Sequence, residues 1–385
     1  MNRSNTPPPP PAAAYIYTDR YADFDYGPYH PLQISRLALT HELISQCGLD
    51  LPSHQADEAA FNELCEFHDS RYLKILQQAS VEPPDSQFSS HGLGKGDNPV
   101  FQGVYQWSAL LTGASLKAAD LVGLGGHAVA FNMAGGMHHA LAGRASGFCY
   151  LNDVVLAIRR LADRGHRVAY VDLDAHHGDG VQTAFYDSNQ VITISLHQHP
   201  STLFPGTGRV EEVGRLDGHG FSVNVPLWPG TDDEIYARCF DEVVPPLLDA
   251  FAPDFLVTQL GVDAFACDPL AKLSLTTAGY THCLKGLRQM AHGRWIALGG
   301  GGYNVVNVAR AWTLAWAHML GREGDIPQEM PGEFCASHRI MADESRFWEP
   351  PAAGRGTDRD RALGQALDAV AYIKKEIFPV LGARS

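Results

Sequence analysis

Residues 168–180 read Val168-Ala169-Tyr170-Val171-Asp172-Leu173-Asp174-Ala175-His176-His177-Gly178-Asp179-Gly180. The stretch up to Leu173 is continuously apolar rather than alternating, the pattern of a strand buried on both faces of a sheet. Three acids and two histidines then fall within nine residues, 172–180. An acidic loop with a helix cap is the bland alternative, but so many charged and polar groups at the end of a buried strand are costly unless paired. If the extended conformation persists, Asp172, Asp174 and His176 share one side by strand parity. Asp oxygen and His nitrogen there suit Zn²⁺ or Fe²⁺.

Four more apolar runs read as buried strands: Val191–Leu196, Phe221–Leu227, Phe255–Leu260 and Trp295–Leu298. Helical patterns alternate with them. Thr231-Asp232-Asp233-Glu234 supplies a cap and an acidic first turn for a helix to about Phe251. Ser274–Ala278 opens another towards Met290, Asn304–Leu320 is a third, and Ala362–Phe378 a fourth after a loop at Pro350–Arg361. This alternation predicts an α/β fold, a mostly parallel central sheet with helices on both faces. In such sheets functional residues collect at the carboxyl ends of strands, and here the polar clusters follow the apolar runs.

The chain has 385 residues, 29 Lys+Arg against 43 Asp+Glu and a net charge of −14. This acidic balance argues against non-specific nucleic-acid or anionic-membrane binding. Seven scattered cysteines without a CxxC read as reduced thiols rather than a disulfide framework. The Pro/Ala-rich residues 1–14 are expected to be a disordered tail without a secretory apolar segment, and 15–385 a single domain. The longest charge-free stretch, Leu121–Gly143, holds six Gly and three His and is a poor membrane span. These features predict a soluble, cytoplasmic protein; oligomeric state is unread.

Three further clusters carry chemistry. In Gly135-Gly136-Met137-His138-His139, adjacent histidines can be acid/base groups or ligands, and each needs a partner on its far nitrogen; Asp172 and Asp179 are plausible carboxylates. Asp263 follows the run Phe255–Leu260 and is the best-placed third ligand beside Asp174 and His176, since a catalytic site wants three with an open position. Gly299-Gly300-Gly301-Gly302 lacks phosphate-loop spacing. Its freedom lets Tyr303 project into a cavity and donate to a developing oxyanion.

Together these residues resemble the histone deacetylase superfamily, which shares its fold with arginase, over about Tyr26–Gly321. The shared pieces include GGMHHA, GFCYLND, DLDAHHGDG, FPGTG, NVPL, GVDAFACDPL and GGGGYN. Gly96–Phe101 and Asp268–Thr276 are similar to class I-like enzymes and bacterial acetoin-utilisation deacetylases. The resemblance implies Asp174, His176 and Asp263 as metal ligands for Zn²⁺ or Fe²⁺. It implies His138 and His139 as tandem histidines with Asp172 and Asp179 as partners, and Tyr303 facing the metal across the substrate carbonyl. Gly147, Phe148, Phe204 and Gly301 would line a tunnel for an acyl-lysine stem, with Leu270 near its mouth. Asp97 would be a rim carboxylate and Arg36 an internal-cavity arginine. A structural K⁺ would use Asp172 and Ser195 plus carbonyls of Asp174, His176 and Leu196. The implied activity is hydrolysis of an N-acyl amide by a metal-activated water. Acetyl-lysine in proteins is the first substrate class, a small N-acetyl amine such as an acetylpolyamine the second, and a non-catalytic acyl-lysine-binding module the third. One departure stands out: Leu203 precedes Phe204 where many relatives carry a second aromatic residue, which affects a tunnel wall and so acyl-chain preference. Cys149 reads as a small buried residue under the site rather than a nucleophile.

Overall fold

The computed structural model describes residues 12–82, 86–94, 96–351 and 357–384. Seven strands form one sheet: β1 (Ala13–Tyr15), β2 (Val129–Asn132), β3 (Val168–Asp172), β4 (Val191–Gln198), β5 (Ser222–Leu227), β6 (Phe255–Gln259) and β7 (Trp295–Leu298). Their order is β1-β2-β7-β6-β3-β4-β5, and every pairing is parallel. The expected parallel α/β architecture is therefore observed.

All five expected strands are present, Trp295–Leu298 with its expected bounds and the other four with ends shifted by one or two residues. β4 runs on to Gln198, and β5 begins at Ser222. β1 and β2 are additions. Of the expected tail, residues 1–11 lie outside the described residues, and its inner end is corrected: Ala13 and Ala14 pair with Val129 and Ala130. The short Ala side chains carry no strand signal, and backbone pairing to β2 makes the strand.

Alternate β3 residues pack on opposite faces, the direct consequence of a period of two. Val168 and Tyr170 join a cluster with Ala114 and Ala118 of the helix Val104–Gly123 and Val155 and Ile158 of the helix Asp153–Ala162. Ala169 and Val171 join the other cluster, with Val243 of Asp233–Phe251, Leu284 of Thr277–Met290 and Trp312 of Val305–Leu320. The expected cap holds, with Asp232 accepting from Ile235 N, and Asn304, expected inside the third helix, instead caps it by accepting from Asn307 N. The second helix begins at Thr277, inside the stretch expected to open it, because Thr276 supplies the cap. The fourth expected helix starts earlier than expected, at Thr357, with Asp358 and Asp360 in its first turn, where they favour the helix dipole. Among the described residues no helix is long and apolar enough to cross a membrane.

Register sets up the site. Asn132, Leu298, Gln259, Asp172, Ser195 and Asn224 are successive partners across β2, β7, β6, β3, β4 and β5. Five of these six are polar, and the row ends β2, β7, β6 and β3, while β4 and β5 run on for three more residues. Every chemistry-bearing cluster of the sequence leaves the sheet from this row.

The helix Val104–Gly123 is held close to the loop before it at Gly113, where an added Cβ would lie 1.9 Å from the Asp57 carbonyl oxygen. Gly113→Ala should lower the unfolding free energy by about 1–3 kcal/mol through overpacking. Denaturant titration should show a lower midpoint at unchanged slope.

Candidate active site

β3 ends at Asp172, so strand parity does not extend to His176 as supposed. Side-chain turns take over: Asp172 Oδ1 accepts from Asp174 N at 3.0 Å, and Asp174 Oδ1 from His176 N at 2.9 Å. Each Asp thus caps the residue two positions on. Asp172 points back to the sheet, its Oδ2 accepting from the Tyr170 hydroxyl at 2.7 Å. Asp174 and His176 point outward to Asp263, from the end of neighbouring β6. His176 Nδ1 lies 3.2 Å from Asp174 Oδ1 and 2.8 Å from Asp263 Oδ2. The three donor atoms lie within 4.8 Å of one another and all three residues are buried. Two carboxylates and an imidazole turned on one point in the interior are a donor set that fits a divalent cation.

The tandem histidines meet their expected partners. His138 Nδ1 is 2.9 Å from Asp172 Oδ2, and His139 Nδ1 is 2.7 Å from Asp179 Oδ1. Each far nitrogen is thereby fixed, and the two Nε2 atoms converge at 3.0 Å. Asn152 holds the loop that carries them, donating to the carbonyls of His138 and Ala140.

Tyr303, His138, His139, Asp174, Gly147 and Phe148 line a cavity of about 20 Å³, room for about one water or ion. Gly301 also lines it, donating its N–H to Asp174 Oδ2 at 2.7 Å. A Cβ at Gly147 would strike His139 and Phe204, at 2.6 and 2.8 Å, so only glycine fits that wall. Phe204 packs its ring edge-on to His139 at 5.0 Å and is 43% exposed, an outer wall. Asp97 is exposed, in a separate shallow pocket of about 380 Å³ with Tyr26 and His30. Phe148 lines both hollows. Leu270 is half-buried, its N–H bound by Asp268. Arg36 lies buried beneath the glycine run, donating to the Gly302 carbonyl at 2.9 Å and stacking over Trp312. Cys149 is buried and burial pushes its thiol pKa well up, which disfavours the thiolate. Asp172 and Ser195 are register partners, and Ser195 Oγ meets His197 Nδ1 at 2.8 Å.

Sequence reasoning missed Gln259, whose Nε2 donates to the Gly136 carbonyl at 2.8 Å and lies 3.3 Å from Asp174 Oδ2. A polar residue ending an otherwise apolar run was its signal. Leu32 and Met137 also line the cavity without any signal in their type.

Residues 30–319 match the histone deacetylase domain. The chain belongs to the histone deacetylase family. It is 38% identical over 320 residues to histone deacetylase B of Dictyostelium discoideum, covering 82% of this chain and 75% of that protein. It is 37% identical over 333 residues to acetoin utilization protein AcuC of Bacillus subtilis, covering 84% and 85%. A crystal structure of an HDAC homolog complexed with SAHA superposes with a TM-score of 0.85 at 32% identity, covering 94% of this chain and all of that one. An HDAC homolog from Aquifex aeolicus gives 0.83 at 32% identity, covering 92% and 99%. This is a family of metal-dependent deacetylases, and its fold and the buried Asp-His-Asp group are both present here.

In this histone deacetylase family member the two tandem histidines titrate apart. Burial alone would lower both. The charges of Asp172 and Asp174 overcome it at His138, raising that group to about 9. At His139 burial and the neighbouring His138 prevail over Asp179, and the group falls to about 4. At His176 Asp263 and Asp174 outweigh burial and raise it to about 10. Burial and Asp174 push Asp263 up to about 7, while His138 and His176 hold Asp174 well below the usual range against the push of burial. Burial holds the Tyr303 phenol protonated, reinforced by Asp263 and Asp174.

His68 secures the scaffold of the histidine loop: its Nε2 accepts from Asn152 N at 2.9 Å and its Nδ1 reaches the Ala142 carbonyl at 3.2 Å. An accepting Nε2 requires a neutral ring, and burial lowers its pKa to about 4. The unfolded chain protonates a histidine near 6.5, so below that pH the unfolded state binds a proton that the folded state refuses. Stability is therefore lost as pH falls from about 6.5 to about 4. His68→Gln should flatten the fall in thermal midpoint between pH 7 and pH 4 relative to the parent, as read by calorimetry across that range.

Proposed function

We propose that this deacetylase hydrolyses the N-acyl amide of acetyl-lysine in proteins, with a divalent metal held by Asp174, His176 and Asp263. The convergence of those three donors on one another, with Asp174, Tyr303 and both tandem histidines lining one small cavity beside them, carries the reading. Zn²⁺ and Fe²⁺ both suit an Asp₂His set. When bound, such a metal polarises the acyl carbonyl and makes water acidic enough to ionise near neutrality.

The chain's own residues do the rest. His139, oriented by Asp179, takes the proton of the attacking water and later gives it to the leaving amine. His138, held protonated by the buried Asp172, stabilises negative charge electrostatically. Tyr303 donates its hydroxyl to the developing oxyanion. Gly147, Phe148, Gly301 and Phe204 form the walls for the lysine stem, with Leu270 near its mouth. Leu203 in place of a second aromatic residue widens the wall beside Phe204. Asp97 offers the rim a carboxylate for substrate backbone N–H groups, which favours a peptide over a small acetylated amine. Arg36, under the glycine run, serves the internal cavity that receives the acyl product. Asp172 and Ser195, with the carbonyls of Asp174, His176 and Leu196, hold a monovalent cation such as K⁺. The chain from Ala13 onward, with β1 paired into the sheet, acts as one domain, and the protein works in the cytoplasm.

Protein stripped with chelator and reloaded with Zn²⁺ or Fe²⁺ should recover turnover of an acetyl-lysine peptide. Turnover of acetylspermidine alone would move the substrate to small amines. Undiminished peptide turnover after complete stripping would defeat the metal role. Tyr303→Phe should lower kcat by on the order of 10²–10³-fold with KM little changed, and an unchanged kcat would remove the phenol from the chemistry. Asp263→Asn should weaken metal binding, read as metal content after dialysis.

A further inference from the structure

Four consecutive glycines leave Tyr303 at the end of a segment with little stiffness of its own; Gly300 and Gly302 sit at φ of +111° and +137°. The run is fixed from outside. Gly299 N donates to the Asn132 carbonyl at 3.1 Å and Gly300 N to the Gly135 carbonyl at 3.0 Å. Gly301 N donates to Asp174 and the Gly302 carbonyl accepts from Arg36. The last point is the N–H of Tyr303 itself, which donates to Asp268 Oδ2 at 2.8 Å. Among the described residues the Tyr303 hydroxyl makes no hydrogen bond. Its place is therefore set by the backbone anchor and by ring packing, edge-on to Phe148 at 5.6 Å.

Asp268 is buried, 7% exposed. Its other oxygen accepts from Leu270 N at 2.9 Å, and no Lys, Arg or His forms an ion pair with it among the described residues. Both oxygens thus serve backbone N–H groups on two different loops. One loop carries Tyr303 and the other carries Leu270. An amide at this position could accept from only one of them, which accounts for a carboxylate in a place where burial raises its pKa to about 6.

We propose that Asp268 is a positioning residue for the reaction: it straps the loop of Leu270 to the glycine run and so holds the Tyr303 hydroxyl at the oxyanion. The proposal rests on the reading of Tyr303 given above. Displacing a donor by about 1 Å can cost as much as about 10²-fold in rate, while substrate binding along the walls and the three metal donors are untouched.

The test is a double-mutant cycle on metal-loaded enzyme: parent, Asp268→Asn, Tyr303→Phe and the pair, with kcat and KM measured on whichever of acetyl-lysine peptide or acetylspermidine the parent turns over. Asp268→Asn should lower kcat by about tenfold with KM within about twofold, and should change kcat less than about twofold in the Tyr303→Phe background. Bound metal should be the same in all four proteins. The same loss in both backgrounds, an unchanged kcat in the parent background, or a loss that follows missing metal would each overturn the proposal. A full kcat in Tyr303→Phe alone would overturn the oxyanion reading and this inference with it, and that result is distinct from the other three. If the Asn protein does not fold, Asp268→Ser, with a single acceptor oxygen, takes its place in the cycle.

Discussion

Asp172 ends β3, Asp174 follows it by two residues and Asp263 follows the end of β6 by four, and each is at most 1% exposed. Three buried carboxylates at one place repel each other and forgo hydration, so the surrounding chain must supply positive charge and N–H donors. Much of the local architecture answers that demand. Asp172 takes the Tyr170 hydroxyl, His138 and Asp174 N. Asp263 takes Ala175 N and His176, and Asp174 takes His176 and Gly301 N. The charges of these acids, working against burial, raise both His138 and His176. A divalent cation among Asp174, His176 and Asp263 would supply positive charge there and leave His176 to bind as a neutral ligand.

The same demand explains the glycines. A Cβ at Gly301 would lie 2.2 Å from Asp263 Oδ2, and one at Gly261 equally close to Asp174 Oδ2. The acids can be packed this tightly only because the backbone facing them has no side chains. Within the glycine run Gly301 gives its N–H to Asp174, Gly299 and Gly300 give theirs to backbone carbonyls, and the missing side chains let the run approach the acids this closely.

Much of this was legible because a buried parallel strand announces itself as a continuous apolar run and its chemistry must follow at the carboxyl end. Asp172, Asp174, His176 and Asp263 were found by that rule, and the resemblance to histone deacetylases then joined His138, His139 and Tyr303 to them. β1 and β2 escaped: β1 has three residues, and β2, as short as β7, lies in the glycine- and histidine-rich stretch 121–143, which blurs its apolar run. The helix Val104–Gly123 escaped for the opposite reason: it buries residues on nearly every side and shows no amphipathic stripe. His68 and Asn152 could not be paired from sequence, because their contact spans 84 positions and neither residue type is diagnostic. Asp268 stood in view inside a shared motif, yet its task, accepting two backbone N–H groups, leaves no trace in the identity of its partners.

These gaps follow one division. Side chains that touch the reacting atoms must be of a particular chemical type, and type is what a sequence displays. The groups that aim them act through backbone amides and carbonyls, which every residue possesses. Gln259 ends β6 and Asp268 sits on the loop that follows, and they differ in chemistry, yet each reaches backbone groups, Gly136 for the Gln259 Nε2 and Leu270 and Tyr303 for the Asp268 oxygens. Precision at this site is therefore carried by residues whose partners are anonymous in sequence. That is also why substitutions at them should alter the rate of the reaction more than the affinity for substrate or metal.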